Sequence, residues 1–169
     1  MEEASISDPK DPPSCGDAYR AAVHGNLEVL TKFYQREPTS SINICGDTIF
    51  HVPALNCHTN VTIELLNLSM SPINIGGGLK TKNFNGNTAL HEAVRVGALE
   101  IAKKMVEKEE SLVHESNSMG ETPLYWAAAF GQMGMLRFLA AKTSSSDDDS
   151  ELRRNDGSTI LHAAVIGEF

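Results

Sequence analysis

The sequence predicts an all-α solenoid of about four helix–turn–helix units followed by an incomplete fifth. The first observation is a recurring helix-start motif whose threonines are Thr48, Thr88, Thr122 and Thr159, at intervals of 34 to 40 residues. The second is a glycine, such as Gly97, that follows the first helix in most copies. The third is an amphipathic stretch after that glycine. Copies of one short unit at such intervals indicate a stacked repeat array.

The chain divides into a tail and a repeat domain. Residues 1–14 are rich in Pro and Asp and have little apolar surface, so we expect a disordered tail. The repeat domain then covers residues 15–169, and the longer intervals predict long loops at 69–84 and 143–156. The predicted units cover about 16–44, 45–83, 84–117, 118–154 and 155–169, and the last is partial.

Each element of the unit has a physical reason. Thr122 is a good N-cap, and Pro123 follows it at the first helical position, where the missing N–H costs nothing. Gly97 and Gly131 can adopt a positive φ and end the first helix. The second helix carries one apolar stripe that a single unit cannot bury alone. In unit three this stripe is Leu99, Ala102, Met105 and Val106.

Unit two departs from this pattern at two positions. Cys57 stands where the helix-ending glycine belongs, and Pro53 replaces an alanine of the first helix. A side chain at positive φ costs about 1 kcal/mol, and proline removes a backbone donor. We therefore predict that unit two is the weakest internal joint of the stack. The alternative is that Cys57 is a thiol sensor.

The repeated motifs resemble ankyrin repeats. They read Gly-Asn-Thr-Ala-Leu-His-Glu-Ala at 86–93, Gly-Glu-Thr-Pro-Leu-Tyr-Trp-Ala-Ala at 120–128, and Asn-Asp-Gly-Ser-Thr-Ile-Leu-His-Ala-Ala-Val at 155–165. They also resemble the plant ankyrin proteins of the accelerated-cell-death and salt-tolerance type. That resemblance implies protein contacts in stress or defence signalling, and a C-terminal membrane domain with a Pro-Gly-Gly motif in full-length relatives. We expect this chain to be truncated before such a domain.

Three histidines occupy one slot of the unit. His51, His91 and His162 each lie three residues after a repeat threonine. The ankyrin resemblance implies that this histidine hydrogen-bonds near the turn, so we predict a structural role and no metal or catalytic role. Tyr125 holds the same slot in unit four, which also weakens a metal site. The predicted structural repeat positions are Thr48, His51, Thr88, His91, Gly97, Thr122, Gly131, Thr159 and His162.

Composition and the remaining motifs exclude several classes of function. A net charge of −8 repels phosphate backbones, so we predict no nucleic-acid binding. The glycines at 76–78 lack the lysine spacing of a phosphate loop, and the aspartates at 147–149 lack that of a calcium loop. We predict no catalytic, cofactor or metal site. With three cysteines, no secretory signal and no membrane span, a cytoplasmic location follows.

Unit four supplies the best candidates for partner binding. Aromatic residues in the groove of such an array are frequent binding anchors, and these are Tyr125, Trp126 and Phe130. Core packing is the alternative for all three. A second group of candidates lies in the loops before units three and four. It consists of Asn83, Phe84, Asn85, Asn87, Asn117, Met119 and Glu121.

These observations predict a non-enzymatic protein–protein interaction module. The alternative is a non-functional fragment, or a competitor, of a membrane-anchored ankyrin protein. Because unit five has only its first helix, we expect the apolar side chains of Leu139, Leu161, Ala164 and Val165 to lack cover. Such a face favours self-association.

Overall fold

The structure, a computed structural model, describes residues 12–68, 78–143 and 152–166. These residues form helices and turns, and the β-structure among them is limited to an isolated bridge between Arg153 and Thr159. The predicted all-α repeat fold is therefore confirmed. The α-helices are α1 (Cys15–His24), α2 (Leu27–Arg36), α3 (His51–Leu55), α4 (Thr59–Leu68), α5 (Ala89–Arg95), α6 (Leu99–Lys108), α7 (Pro123–Ala129), α8 (Met133–Thr143) and α9 (Ile160–Ile166).

The helices form two rows. The inner row runs from α1 through α3, α5 and α7 to α9, and each helix packs against the next. The outer row runs from α2 through α4 to α6, and each outer helix also packs against the inner helix that precedes it. A 3-10 helix at Glu110–His114 follows α6 in the chain and packs against both α6 and α8. Its residues Leu112 and Val113 are buried.

Side-chain caps define where the first helices begin. The Thr122 hydroxyl accepts a hydrogen bond from the Tyr125 N–H at 3.2 Å, and Pro123 follows at the first helical position. Ser14 caps α1 and forms a reciprocal capping box with Asp17. The predicted tail thus includes the cap of α1, while residues 1–11 lie outside the described part of the chain.

A left-handed residue ends the first helix of each complete unit. The φ angle is 73° at Gly97 and 63° at Gly131, and Cys57 has a φ of 56° in unit two. Cys57 is the one non-glycine residue with positive φ among the described residues. The backbone therefore keeps the shape of the repeat in unit two although the residue that favours this shape is missing.

The first helix of unit two is also shorter than its counterparts. Helix α5 begins directly after Thr88, whereas α3 begins three residues after Thr48, at His51. Pro53 has no N–H to bond to the carbonyl of Ile49, so the first turn of this helix is not closed in the usual way. Both features make unit two the most irregular of the complete units.

The core is continuous through both rows of helices, and it corrects one prediction. Leu139 is fully buried because α8 packs against α7 and the 3-10 helix, so the expectation that it lacks cover was wrong. In α4, Leu65 and Leu66 are buried, while Leu68 is 39% exposed. The exposed members of the predicted open face are Leu161 and Val165.

Parts of the two predicted long loops lie outside the described residues. These parts are residues 69–77 and 144–151, which include Gly76 and Gly77 of the glycine run and the aspartates at 147–149. Among the described residues, no helix has the length and apolar character that a membrane crossing needs.

Candidate functional site

His91 connects its own turn to the next unit. The N–H of Thr88 donates to His91 Nδ1 at 3.1 Å, and the Thr88 hydroxyl lies 2.9 Å from the same atom. The Nε2–H of His91 donates to the main-chain carbonyl of Glu121 at 3.0 Å. Because a backbone N–H donates to Nδ1, the proton of the neutral ring must be on Nε2. The ring thus joins the start of unit three to the start of unit four.

The same arrangement occurs in unit two. The Thr48 N–H donates to His51 Nδ1 at 3.2 Å, and His51 Nε2–H donates to the carbonyl of Asn87 at 2.9 Å. Burial lowers the pKa of His51, and it lowers the pKa of His91 to about 4. Both rings are therefore neutral at physiological pH, as these hydrogen bonds require.

The geometry gives His51 and His91 a structural role. Both ring nitrogens of His51 and His91 are engaged in hydrogen bonds within the stack. In the described part of the chain, no group of three His, Cys, Asp or Glu side chains is arranged to hold a metal ion. In unit four, Tyr125 takes the slot and is buried.

The helix-ending glycines lie at contacts between units. A Cβ atom at Gly97 would lie 2.5 Å from Oε1 of Gln132 in unit four, and one at Gly25 would lie 3.0 Å from Nδ1 of His58 in unit two. These positions therefore combine a left-handed backbone with a close approach of the next unit. Cys57 has the left-handed backbone as well, but it is a non-glycine residue and is exposed.

Several predicted partner-binding side chains are occupied inside the protein. Asn87 is 5% exposed and donates through Nδ2 to Glu92 Oε1 at 3.1 Å. Glu121 accepts hydrogen bonds at Oε2 from Asn117 Nδ2 at 2.8 Å and from Trp126 Nε1 at 2.7 Å. These polar groups position the loops, and they present little free hydrogen-bonding capacity to a partner.

Asparagines at one repeat position hold these loops closed and join each loop to the preceding one. Asn43, Asn83 and Asn117 each lie five residues before a repeat threonine. The Oδ1 atom of Asn83 accepts from the N–H groups of Asn85 and Asn87, at 3.1 and 3.0 Å, and so holds its own loop closed. Its Nδ2 donates to Asp47 of the preceding loop at 2.8 Å. The spacing before each threonine could have revealed this structural role.

The loop tips, in contrast, expose apolar side chains. Phe84 is 76% exposed and Met119 is 51% exposed, and both were among the predicted candidates. Ile44, which the sequence reasoning missed, is 94% exposed. Ile44 and Phe84 both lie four residues before their repeat threonine, which is the signal that could have found it. We refer to Ile44, Phe84 and Met119 as the tip ridge.

Main-chain hydrogen bonds hold neighbouring tips together. The Phe84 N–H donates to the carbonyl of Cys45 at 2.9 Å, and the Ser118 N–H donates to the carbonyl of Asn85 at 3.1 Å. A Cβ on Gly46 would lie 2.6 Å from Cδ1 of Phe84, so the Phe84 ring rests directly on the preceding tip. The backbones of the three loops that carry the tip ridge are therefore joined to one another.

The aromatic residues of unit four differ in exposure. Tyr125 is 5% exposed and faces the stack, so we leave it out of the candidate surface. Trp126 is 9% exposed and packs edge-on against His91, with ring centroids 5.3 Å apart. Phe130 is 42% exposed, and its ring packs edge-on against Trp126 at 5.4 Å. Phe130 is thus the accessible aromatic, and Trp126 supports it.

The loop of unit four connects Phe130 to the tip ridge. Met119 at the tip lies two residues before Glu121, which accepts the hydrogen bond from Trp126. The Arg154 guanidinium contacts Met119 through Nη2 at 3.4 Å from the sulfur and lies 3.3 Å from Glu121 Oε1 through Nε. Phe130 and Met119 are therefore linked through the contacts of Trp126, Glu121 and Arg154.

Comparisons with known proteins agree with this architecture. A family model described as ankyrin repeats in three copies matches residues 18–114, and a single ankyrin repeat matches residues 119–148. The chain is similar to Protein ACCELERATED CELL DEATH 6 of Arabidopsis thaliana, with 31% identity over 101 residues, which are 53% of this chain and 15% of that protein.

Two further relatives are similar over different shares of the chain. The probable 26S proteasome regulatory subunit p28 of Saccharomyces cerevisiae is 26% identical over 148 residues, which are 88% of this chain and 63% of that protein. The DNA-binding protein RFXANK of Homo sapiens is 37% identical over 51 residues, or 30% of this chain and 20% of that protein. The chain thus spans less than two thirds of each of these three relatives. With more than half of its residues matched by the family model, the chain belongs to the ankyrin-repeat family.

Proposed function

We propose that the chain is a non-enzymatic protein-binding module whose contact surface consists of the tip ridge and Phe130. The observation that carries this proposal is the exposure of Phe130 beside a buried support: Trp126 packs against it and donates a hydrogen bond to Glu121. An aromatic ring held in place loses little entropy when a partner covers it. Large apolar groups of this kind commonly dominate binding energy.

The tip ridge extends this surface in the direction of the stack. Its three side chains lie in three consecutive loops, those before Thr48, Thr88 and Thr122, and main-chain bonds join neighbouring loops. Packed elements are about 10 Å apart in such arrays, so the ridge spans about 20 Å. A partner that covers it must present several apolar side chains along one line, as a protein segment does and a small metabolite does not.

The biological setting belongs to the same proposal. The similarity to Protein ACCELERATED CELL DEATH 6 supports a role in plant stress or defence signalling, although it covers 15% of that protein. A cytoplasmic location and the absence of nucleic-acid binding stay predictions. The alternative is a competitor for partners of a membrane-anchored ankyrin protein, of the kind that the sequence resemblance implies, and it would use this same surface.

A displayed library of protein fragments tests the binding surface. Ligands are selected on the wild-type chain and then measured against Phe130→Ala and against Met133→Ala. Met133, which is 54% exposed at the start of α8, is not part of the proposed surface and controls for the loss of exposed apolar area. We expect selected ligands to bind the Phe130→Ala variant at least about 10-fold more weakly and the control unchanged. Equal binding to both variants would contradict the proposal.

A further inference from the structure

Arg95 ends helix α5 beside the surface proposed above. It is the last residue of that helix, and Phe130 directly follows helix α7, which packs against α5. The segments after these two helices are in close contact, because a Cβ atom at Gly97 would lie 2.5 Å from Oε1 of Gln132. A cationic side chain therefore lies at the end of the inner helix that neighbours the exposed ring of Phe130.

A buried carboxylate attracts the Arg95 side chain to this position. Nε of Arg95 lies 3.4 Å from Oε2 of Glu92, which is three residues earlier in the same helix. Glu92 is 5% exposed, and its other oxygen, Oε1, accepts a hydrogen bond from Asn87 Nδ2. Oε2 accepts no hydrogen bond within the described part of the chain. The guanidinium thus supplies the compensating charge that a buried carboxylate needs.

The guanidinium of Arg95 keeps hydrogen-bonding capacity for a partner. Its Nε atom is the one nearest to Glu92, and no oxygen of the described residues accepts a hydrogen bond from Nη1 or Nη2. The side chain is 43% exposed. Two Nη groups in one plane match the two oxygens of a carboxylate. A lysine of a partner, by contrast, could not reach Glu92 Oε2, because this atom is buried.

The inner row of helices does not share the acidity of the whole chain. The chain has a net charge of −8, but the described inner helices carry two carboxylates, Asp17 and Glu92, and two guanidinium groups, Arg20 and Arg95. Both carboxylates are engaged, because Asp17 accepts hydrogen bonds from the N–H and the hydroxyl of Ser14. An acidic segment that approaches these helices therefore meets exposed arginines and no unpaired carboxylate.

We propose that the protein segment bound at Phe130 carries an Asp or Glu that bonds to the Nη groups of Arg95. The inference rests on the proposed function and adds the chemistry of the partner. The partner is a linear segment in which a carboxylate lies close to the large apolar side chain that covers Phe130. The apolar contact contributes most of the affinity, and Arg95 selects acidic segments over neutral ones.

Random peptides displayed on phage test the partner's chemistry. Peptides are selected on the wild-type chain, and we expect Asp or Glu at a constant distance from a large apolar residue. One selected peptide is then measured against Arg95→Ala and Arg20→Ala. Arg20 is the matched control, because it is also an exposed arginine three residues after a carboxylate of its own inner helix, two units away. We expect at least about 10-fold weaker binding to Arg95→Ala and less than about a twofold change for Arg20→Ala.

A second background controls for loss of the fold. Arg95→Ala leaves the buried carboxylate of Glu92 without its cation, which can destabilise the stack. The substitution is therefore repeated with Glu92→Gln, whose amide oxygen can still accept the hydrogen bond from Asn87. The same loss of affinity should separate Glu92→Gln from the Glu92→Gln, Arg95→Ala double variant. Far-ultraviolet circular dichroism checks that both variants are folded.

A change in the peptide identifies the charged contact itself. Replacement of the acidic residue of the peptide by its amide should weaken binding to the wild-type chain by a factor similar to that of Arg95→Ala. The same replacement should cause no further loss in the Arg95→Ala variant, because the two groups form one pair. Additive losses would contradict the proposed bond.

Phe130→Ala separates this inference from the proposed function. If Phe130→Ala weakens binding and Arg95→Ala does not, the contact surface stands and the acidic partner is refuted. If Phe130→Ala leaves binding unchanged, the proposed function itself fails. A selection that returns no binder, or binders without an acidic residue, would also overturn the inference.

Discussion

Replacement of His91 by Leu should be among the most destabilising changes in the stack. The substitution removes the ring that accepts the Thr88 N–H and donates to the Glu121 carbonyl. Thr88 is fully buried, so its N–H cannot turn to water for a partner. Each buried backbone group left without a hydrogen bond costs about 1–3 kcal/mol. The Glu121 carbonyl keeps the hydrogen bond from the Asn117 N–H, so the Thr88 N–H is the one group left without a partner. We therefore expect a loss of about 2 kcal/mol in the free energy of unfolding.

His162→Leu is the matched control for this prediction. His162 makes the same contacts to its own threonine, but it is exposed. We expect a loss below about 1 kcal/mol because water can replace these bonds. The assay is urea unfolding of both variants, followed by fluorescence of Trp126, the single tryptophan, and by far-ultraviolet circular dichroism. A cost for His91→Leu that is no larger than the cost for His162→Leu would refute the reasoning.

The remaining predictions concern pH and the irregular unit. Because the pKa of His91 is lowered to about 4 and that of His51 is also lowered, the unfolded state binds more protons than the folded state below pH ~6.5. Stability should therefore fall between about pH 6.5 and 4, by up to about 3 kcal/mol for His91 alone, and His91→Leu should flatten this dependence; an equal slope in both proteins would count against it. Cys57→Gly should raise the free energy of unfolding by about 0.5–1 kcal/mol, since it relieves a left-handed non-glycine residue, whereas Gly97→Ala should lower it by about 1–2 kcal/mol. Urea melts of the two variants test this pair, and a loss of stability in Cys57→Gly would show that the side chain has another role. Amide exchange that is as slow in α3 as in α5 would contradict the prediction that unit two is the weakest joint.

Much of the fold could be predicted because the repeat motif is a local signal. The threonine cap, the glycine that ends the helix and the spacing between copies depend on backbone geometry, which a sequence states directly. The irregularity of unit two followed in the same way from Pro53 and Cys57. The left-handed φ of Cys57 shows that the stack imposes the shape of the repeat even where the residue does not favour it.

Exposure was harder to predict, because it depends on which neighbour covers a side chain. Trp126 and Phe130 are four residues apart, and the packing against His91 and the hydrogen bond to Glu121 distinguish the buried ring of Trp126 from the accessible ring of Phe130. Leu139 was misassigned because the 3-10 helix that contacts α8 was not predicted.

The hydrogen bonds of the predicted polar candidates, such as Asn87 and Glu121, were also not evident from the sequence. Asparagines in exposed loops suggest recognition, but here they close their own turns and bond to the preceding loop. Their exposed neighbours, above all Phe84, offer the accessible surface instead. A polar residue at a fixed distance before each repeat threonine is thus better interpreted as part of the turn.

The most direct test of the central claim is the dissociation constant of one selected protein ligand for three forms of the chain. The forms are the wild type, the Phe84→Ala, Phe130→Ala double variant and the Met133→Ala control. Phe84 leaves about 150 Å² of apolar surface exposed, worth at most about 4 kcal/mol when covered. We predict a dissociation constant at least 100-fold larger for the double variant and a less than twofold change for the control. Equal affinities of the wild type and the double variant would contradict the proposed surface.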